Sequence, residues 1–234
     1  LHNELTDLGT VAAFGTEQRF TEGYQLGSFV SKRIRNINEA TGVVTVADTF
    51  EVVGNSLPTF EAAWSNSFTV FRNFRISALV DTKRDFLVNN LTDYFRETQL
   101  VRSNRRLDPT VLSVRERLRR YGNQAAGQPA FVQENGKGTT VDQVRDAYLQ
   151  KGDFVRFREL GVTYDVPTQY LGRLFGARSM SVGLAMQNLA LWTNYEGADP
   201  EVVQDITANN GVGRRDFLTL PNPKRALLRV NLSF

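Results

Sequence analysis

The side chains best equipped for chemistry sit close together near the end of the chain: Trp192, Tyr195, Asp199 and Glu201. Asp199 and Glu201 flank Pro200 and offer half of a calcium site, but two carboxylates are too few to close a hard-cation cage. The same residues make a rigid turn, in which Gly197 admits unusual dihedrals, Asp199 accepts local backbone donors and Pro200 fixes its own φ. The turn is the expectation. Trp192 and Tyr195 carry rings that could stack on sugars or sit where a membrane meets water. A second concentration of charge lies at 101–121. There Arg102, Arg105, Arg106, Arg115, Arg117, Arg119 and Arg120 stand against only Asp108 and Glu116, an excess of +5. Such a cluster suits lipopolysaccharide phosphates, an anionic solute or a partner. A solvated helix face is the commoner explanation.

Other chemistry is excluded early. Cysteine is absent and His2 is the single histidine, so thiolate metal sites, disulfides, cysteine catalysis and a His-based triad all lack their residues. No carboxylate pair has a spacing that argues for acid–base work, and no Ser, Thr or Lys lies in a nucleophile elbow or phosphate loop. Neither an enzyme nor a cofactor nor a metal is expected. A net charge of +3 does not argue for nucleic acid.

The elements that position these residues read as strands. Over 225–234 one face is Ala226, Leu228, Val230, Leu232 and Phe234, and the other carries Arg225, Arg229, Asn231 and Ser233. Over 179–189, Met180, Val182, Leu184 and Met186 oppose Ser179, Ser181, Gly183, Ala185 and Gln187. Leu160, Val162, Tyr164 and Val166 oppose Glu159, Gly161, Thr163 and Asp165. Phe60, Ala62, Trp64, Phe68 and Val70 oppose Glu61, Ala63, Ser65, Ser67 and Thr69, and Phe74, Ile76, Ala78 and Val80 oppose Arg75, Ser77, Leu79 and Asp81. A sixth strand, 25–35, alternates less well. This period of two is the signature of strands with unlike faces. It also cancels in a hydropathy average, so a mean hydropathy of −0.32 does not exclude a membrane-crossing barrel.

Connections alternate in length. Phe71-Arg72-Asn73 is a tight turn, and 167–178 is short, with Pro167 opening and Gly176 closing a helical turn. The connections 81–152 and 190–224 are long, which is how outer-membrane barrels are built, with short turns on the periplasmic side and longer loops outside. The first long connection is expected to contain a helix over 110–121, with Val111, Val114, Leu118 and Tyr121 as its stripe. A second helix is expected after the capping box at Thr140–Gln143, reaching Leu149. About six strands cannot close a barrel, so the chain is expected to be a segment of a longer one. Glu61, Arg75, Asp81, Glu159, Asp165, Arg225 and Arg229 are expected on the polar face, mostly in structural pairs.

Four stretches resemble the SusC/RagA type of TonB-dependent outer-membrane transporter. Val53-Gly54-Asn55-Ser56-Leu57-Pro58 is similar to the family's entry into a strand. Gly152-Asp153-Phe154-Val155-Arg156-Phe157-Arg158-Glu159-Leu160, with Val162-Thr163-Tyr164 and Pro167, resembles a second strand motif. Gln187-Asn188-Leu189-Ala190-Leu191-Trp192-Thr193-Asn194-Tyr195-Glu196-Gly197-Ala198-Asp199-Pro200-Glu201-Val202 is the most specific likeness. Pro221 and Pro223, leading into a strand that stops at Phe234, resemble the family's close.

The resemblance implies an all-β fold. Residues 1–234 would be the carboxyl-terminal part of an antiparallel transmembrane β-barrel of about six strands here. The connections 81–152 and 190–224 would be extracellular loops containing short helices. The family's plug domain and TonB-contact segment precede the barrel and have no counterpart in this chain. The implied activity is import of a large nutrient, an oligosaccharide or a peptide, across the outer membrane of a Gram-negative bacterium. The implied partners are a SusD-like surface lipoprotein, outer-membrane lipid and the TonB–ExbB–ExbD complex, with no nucleic acid. Leu228, Val230, Leu232 and Phe234 would form the barrel-assembly signal, and Trp192, Tyr195, Asp199 and Glu201 would touch cargo or the lid protein. The alternatives are a siderophore- or cobalamin-type receptor of the same architecture and a soluble β-sandwich binding module.

Overall fold

Period-two alternation builds one large sheet. Its strands, numbered here within that sheet, are β1 (Phe60–Val70), β2 (Phe74–Arg84), β3 (Phe154–Asp165), β4 (Ser179–Thr193) and β5 (Arg225–Ser233). They pair antiparallel in the order β5-β4-β3-β2-β1, so neighbours in space are neighbours along the chain. The computed structural model describes residues 4, 6, 13–14, 17–98, 110, 112–123, 130–174, 176–203 and 214–234. Two compact units divide them, and the sheet belongs to the one made of Phe60–Arg84, Asp153–Asn194 and Pro221–Phe234.

Register turns the alternation of each strand into continuous rows. Phe68, Ile76, Val162, Leu184 and Leu228 lie side by side, as do Val70, Phe74, Tyr164, Val182 and Val230. The alternate rows, on the opposite face, are Ser67, Ser77, Gly161, Ala185 and Leu227, then Thr69, Arg75, Thr163, Gly183 and Arg229. The β1–β2 turn uses Phe71 (φ 50°) and Arg72 (φ 64°) in the left-handed region, which matches the twist of a hairpin. Asn73 Nδ2 ties that turn to the Asp165 carbonyl at 2.8 Å. The β3–β4 connection carries the expected helical turn as α3 (Thr168–Leu174). One register shift interrupts the ladder, between Phe157 and Glu159 of β3. The extra residue reverses the parity of β3, so Phe157 and Val155 join the apolar face while Arg156 joins the polar one.

The strand expected over 25–35 does not enter this sheet, which therefore has five strands instead of about six. Ser28–Ser31 and Ile34–Asn38 belong to two other sheets, and the first is buried along its whole length. A strand covered on both faces has no reason to alternate.

The second unit consists of Leu1–Thr59, Asp85–Gly152 and Tyr195–Leu220. The connections read as loops thus fold with the first residues into a body with its own sheets. Val44, Val46, Phe131 and Val144 form one buried cluster, against which Ile34, Ile37 and Leu118 pack. Tyr94, Ala147 and Tyr148 form another. Two helices flank these clusters. The first, α1 (Leu91–Thr98), begins where Asn90 Oδ1 accepts the Asp93 N–H at 2.9 Å. The second, α2 (Val114–Tyr121), lies inside the expected 110–121, starting at 114 because Ser113 caps it by accepting the Glu116 N–H at 3.1 Å. It ends at Gly122 (φ +59°), where a Cβ would overlap the Ala130 carbonyl. Val111 lies outside the described residues. The helix expected after Thr140 is absent. Residues Arg145–Ala147 make one 3-10 turn, and Leu149–Lys151 instead pairs with Leu87–Asn90. Tertiary pairing of that end of the segment overrides its local capping signal.

Arg120 holds this unit together. It is 1% exposed and donates to Asp93 of α1, to Glu116 Oε1 at 2.7 Å and to Glu196 Oε2 at 2.8 Å. Burial works against its charge, but the Glu116 hydrogen bond and the Asp93 and Glu116 charges outweigh that and raise its pKa. The same guanidinium, with Arg119, draws the Glu116 carboxyl below its ordinary value despite its partial burial. Arg120→Ala leaves the buried Asp93 carboxylate with Arg96 as its remaining ion pair among the described residues, at a cost of about 3 kcal/mol, the low end for breaking a buried pair. Arg115→Ala removes only an exposed pair with Glu39 and should cost under ~1 kcal/mol. Denaturant unfolding of the two variants should separate them, and equal midpoints would show that Arg120 is not the tie.

Candidate functional site

The polar face of the β1–β5 sheet is a wall built for water. An open groove of about 380 Å³ runs along it, flanked by Arg75 and Arg229 and floored by Gly161, Gly183 and Ala185. The glycines keep that floor low, since a Cβ on Gly161 would come within 2.6 Å of Ser77 Oγ. Above the floor, Gln187 Nε2 donates to Glu159 Oε2 at 3.0 Å. Lys83 pairs with Glu61 at 3.2 Å, and Arg158 with Asp81 at 2.7 Å. Three of the expected carboxylates are thus engaged on the wall itself. Arg75, Arg225 and Arg229 make no ion pair among the described residues. The wall can bind and orient polar solutes or a polypeptide, and nothing on it forms a nucleophile–base pair.

The apolar face is as distinct. Leu228 is 71% exposed, Val230, Leu232 and Phe234 are exposed with it, and Leu184 and Met186 continue the patch on β4. Apolar surface on this scale marks a membrane or a partner. Among the described residues, the Met180–Met186 and Leu228–Phe234 rows do not form the shared buried core that a β-sandwich requires.

The four residues expected to meet cargo or a lid protein are not brought together as one surface. Trp192 is 57% exposed, in register with Val155 on the apolar side of the sheet. Tyr195 belongs to the other unit, where it is 6% exposed and donates its hydroxyl to Asp216 Oδ2 at 2.8 Å. Burial, then the Asp216 charge, raises its pKa. Asp199 is 1% exposed, and its Oδ1 accepts the Glu201 N–H at 3.0 Å, which is the turn read from the sequence. Gly197 is required there because a Cβ would strike the Tyr195 ring and Asp216. Glu201 alone of the last three keeps partial exposure. Of the arginine cluster, Arg102, Arg105 and Arg106 lie outside the described residues. Arg119 and Arg120 are committed to Glu116, so the described part is neither a bare solvated face nor an open anion site. Sequence reading missed the burial of Arg120. Its i,i+4 carboxylate, Glu116, was the one available signal.

Among the described residues, no group of three or more metal-ligating side chains could hold an ion. No helix among them is long and apolar enough to cross a membrane, which says nothing of strands.

Known proteins resemble this chain in two ways. No family model matches it. In sequence it is 28% identical to TonB-dependent receptor P3 of Formosa agariphila over 96 residues, covering 39% of this chain and 9% of that receptor. TonB-dependent receptor P26 of the same organism is 27% identical over 103 residues, covering 42% and 10%. In structure, the RagAB peptide importer in its open-open state matches with a TM-score of 0.67 at 19% identity, over 99% of this chain and 25% of that one. The RagAB peptide transporter matches with a TM-score of 0.68, also at 19% identity, over 99% and 26%. The chain therefore spans about a tenth of the curated relatives and a quarter of the RagAB chain. The chain is thus similar in sequence to TonB-dependent receptors over about two fifths of its length, and similar in fold to the RagAB importer.

Proposed function

We propose that this chain is barrel wall and outer surface of an importer in the outer membrane of a Gram-negative bacterium. The carrying observation is the segregation of the sheet: exposed apolar rows on one side, charged and small residues on the other. The strands run 9 to 15 residues, enough to cross a bilayer when tilted. The apolar rows face lipid and the groove faces the lumen. The short β1–β2 and β3–β4 connections and Phe234 lie on the periplasmic side. The connections 81–152 and 190–224 lie on the opposite side of the membrane from those short turns.

In this reading the barrel works with a SusD-like surface lipoprotein that lids it, and TonB–ExbB–ExbD supplies energy through a plug encoded elsewhere in the protein. The cargo is a peptide or an oligosaccharide, the peptide being favoured by the likeness to RagAB, itself a peptide importer. The relatives are receptors and transporters, which favours transport without catalysis. Contact with cargo or lid falls to Glu201 and its surroundings, because Tyr195 and Asp199 are buried and Trp192 lies on the apolar side. The terminal row Leu228, Val230, Leu232 and Phe234 acts in assembly, as an edge that pairs during insertion.

The whole protein that contains this chain, expressed in a Gram-negative host, should fractionate with the outer membrane, require detergent, and support TonB-dependent uptake of labelled oligopeptides or oligosaccharides. Recovery in detergent-free buffer would end the proposal. Within that membrane fraction, Met186→Arg, at the middle of β4 on the apolar face, should cost about 2–4 kcal/mol in urea unfolding, while Gln187→Arg on the groove face costs far less. Deleting Phe234 should lower the assembled fraction several-fold at unchanged synthesis, and undiminished assembly would remove the terminal row from that role.

A further inference from the structure

A second pocket, of about 310 Å³, lies at the opposite end of the sheet from the short turns, lined by Arg84, Asp153, Val155, Trp192 and Asn194 among others. All of them belong to the sheet's own unit. Register places it on the apolar side: Trp192 pairs with Val155, which pairs with Thr82, two positions beyond the apolar Val80. The aromatic residues Phe60, Trp64 and Trp192 are all exposed toward this end. The pocket thus opens beside the upper margin of the apolar rows, away from the groove that a cargo would follow.

Its chemistry is particular. An exposed indole offers a flat face to the C–H side of a sugar ring. Asn194 brings an amide that can serve a hydroxyl as donor or acceptor. Arg84 has a planar fork suited to phosphate, and its one hydrogen bond among the described residues is a 3.4 Å contact from Nε to Thr82 Oγ1. Asp153 is already engaged, its carbonyl accepting from Thr193 Oγ1 at 2.7 Å.

We infer that this pocket binds the phosphorylated sugar headgroup of an outer-leaflet glycolipid, Trp192 stacking on the ring and Arg84 holding the phosphate. The inference rests on the barrel reading, since it requires this end of the sheet to meet the outer leaflet. Native mass spectrometry of the detergent-solubilised whole protein that contains this chain, with added lipid A, dephosphorylated lipid A or inorganic phosphate, tests it. Wild type should retain lipid A. Arg84→Gln should lower that retention about tenfold, the scale of one charge-assisted hydrogen bond, without affecting the dephosphorylated lipid. Trp192→Ala should lower retention of both, and Trp192→Phe should restore part of it. Unchanged retention in Arg84→Gln and Trp192→Ala would overturn the inference, as would complete displacement of lipid A by equimolar inorganic phosphate. Failure of the barrel reading looks different: the wild-type chain would not partition into the membrane at all. Heat-modifiable migration on gels confirms that each variant is folded before its lipid is counted.

Discussion

A backbone placed in hydrocarbon has no water to satisfy its N–H and C=O groups, so each strand must find them partners in the next strand. In the five-stranded sheet β2, β3 and β4 are paired on both sides, and the antiparallel ladders run from β1 to β5 with one shift in β3. The ladder also fixes the register, and the register decides which side chains share a row. A slip of one residue would carry Leu228 and Val230 to the groove and Arg229 to the apolar side. Wall, groove and apolar belt are therefore consequences of one pairing pattern rather than separate features.

The other unit solves a different problem. Its pieces are far apart in sequence and too small to bury a core alone, so they rely on polar ties between segments. Arg120 joins α1, α2 and the stretch after β4, while Tyr121 reaches Glu97 and Tyr195 reaches Asp216. Burial raises the pKa of both phenols, most strongly through loss of solvent, which keeps them as neutral donors to their carboxylates.

The sheet was largely legible in the sequence because a period of two is a local signal and the two faces of each strand meet unlike surroundings. Four of its strands show it plainly. β3 was legible only from Glu159 onward, because the extra residue at 158 reverses the parity of 154–157. β4 was read to Leu189 and runs to Thr193, past Asn188, whose φ of +54° marks an irregularity. In the second unit, Ser28–Ser31 fell within the strand expected over 25–35 but was assigned to the wrong sheet, because a strand covered on both sides gives little alternation to read. Residues 140–149 carry a genuine capping pattern that long-range pairing overrules. Among the candidate residues, the Asp199 turn followed from local chemistry, whereas the burial of Tyr195 and Arg120 depends on segments distant in the chain.

β1 and β5 stand at the two margins of the sheet, and each turns a row of backbone groups away from its single neighbour. Margins of this kind are adhesive toward any extended peptide of similar length, another copy of the same molecule included. In the barrel reading those margins are the seams at which further strands continue the ladder, so closure of the wall depends on two backbone edges and not on any side chain.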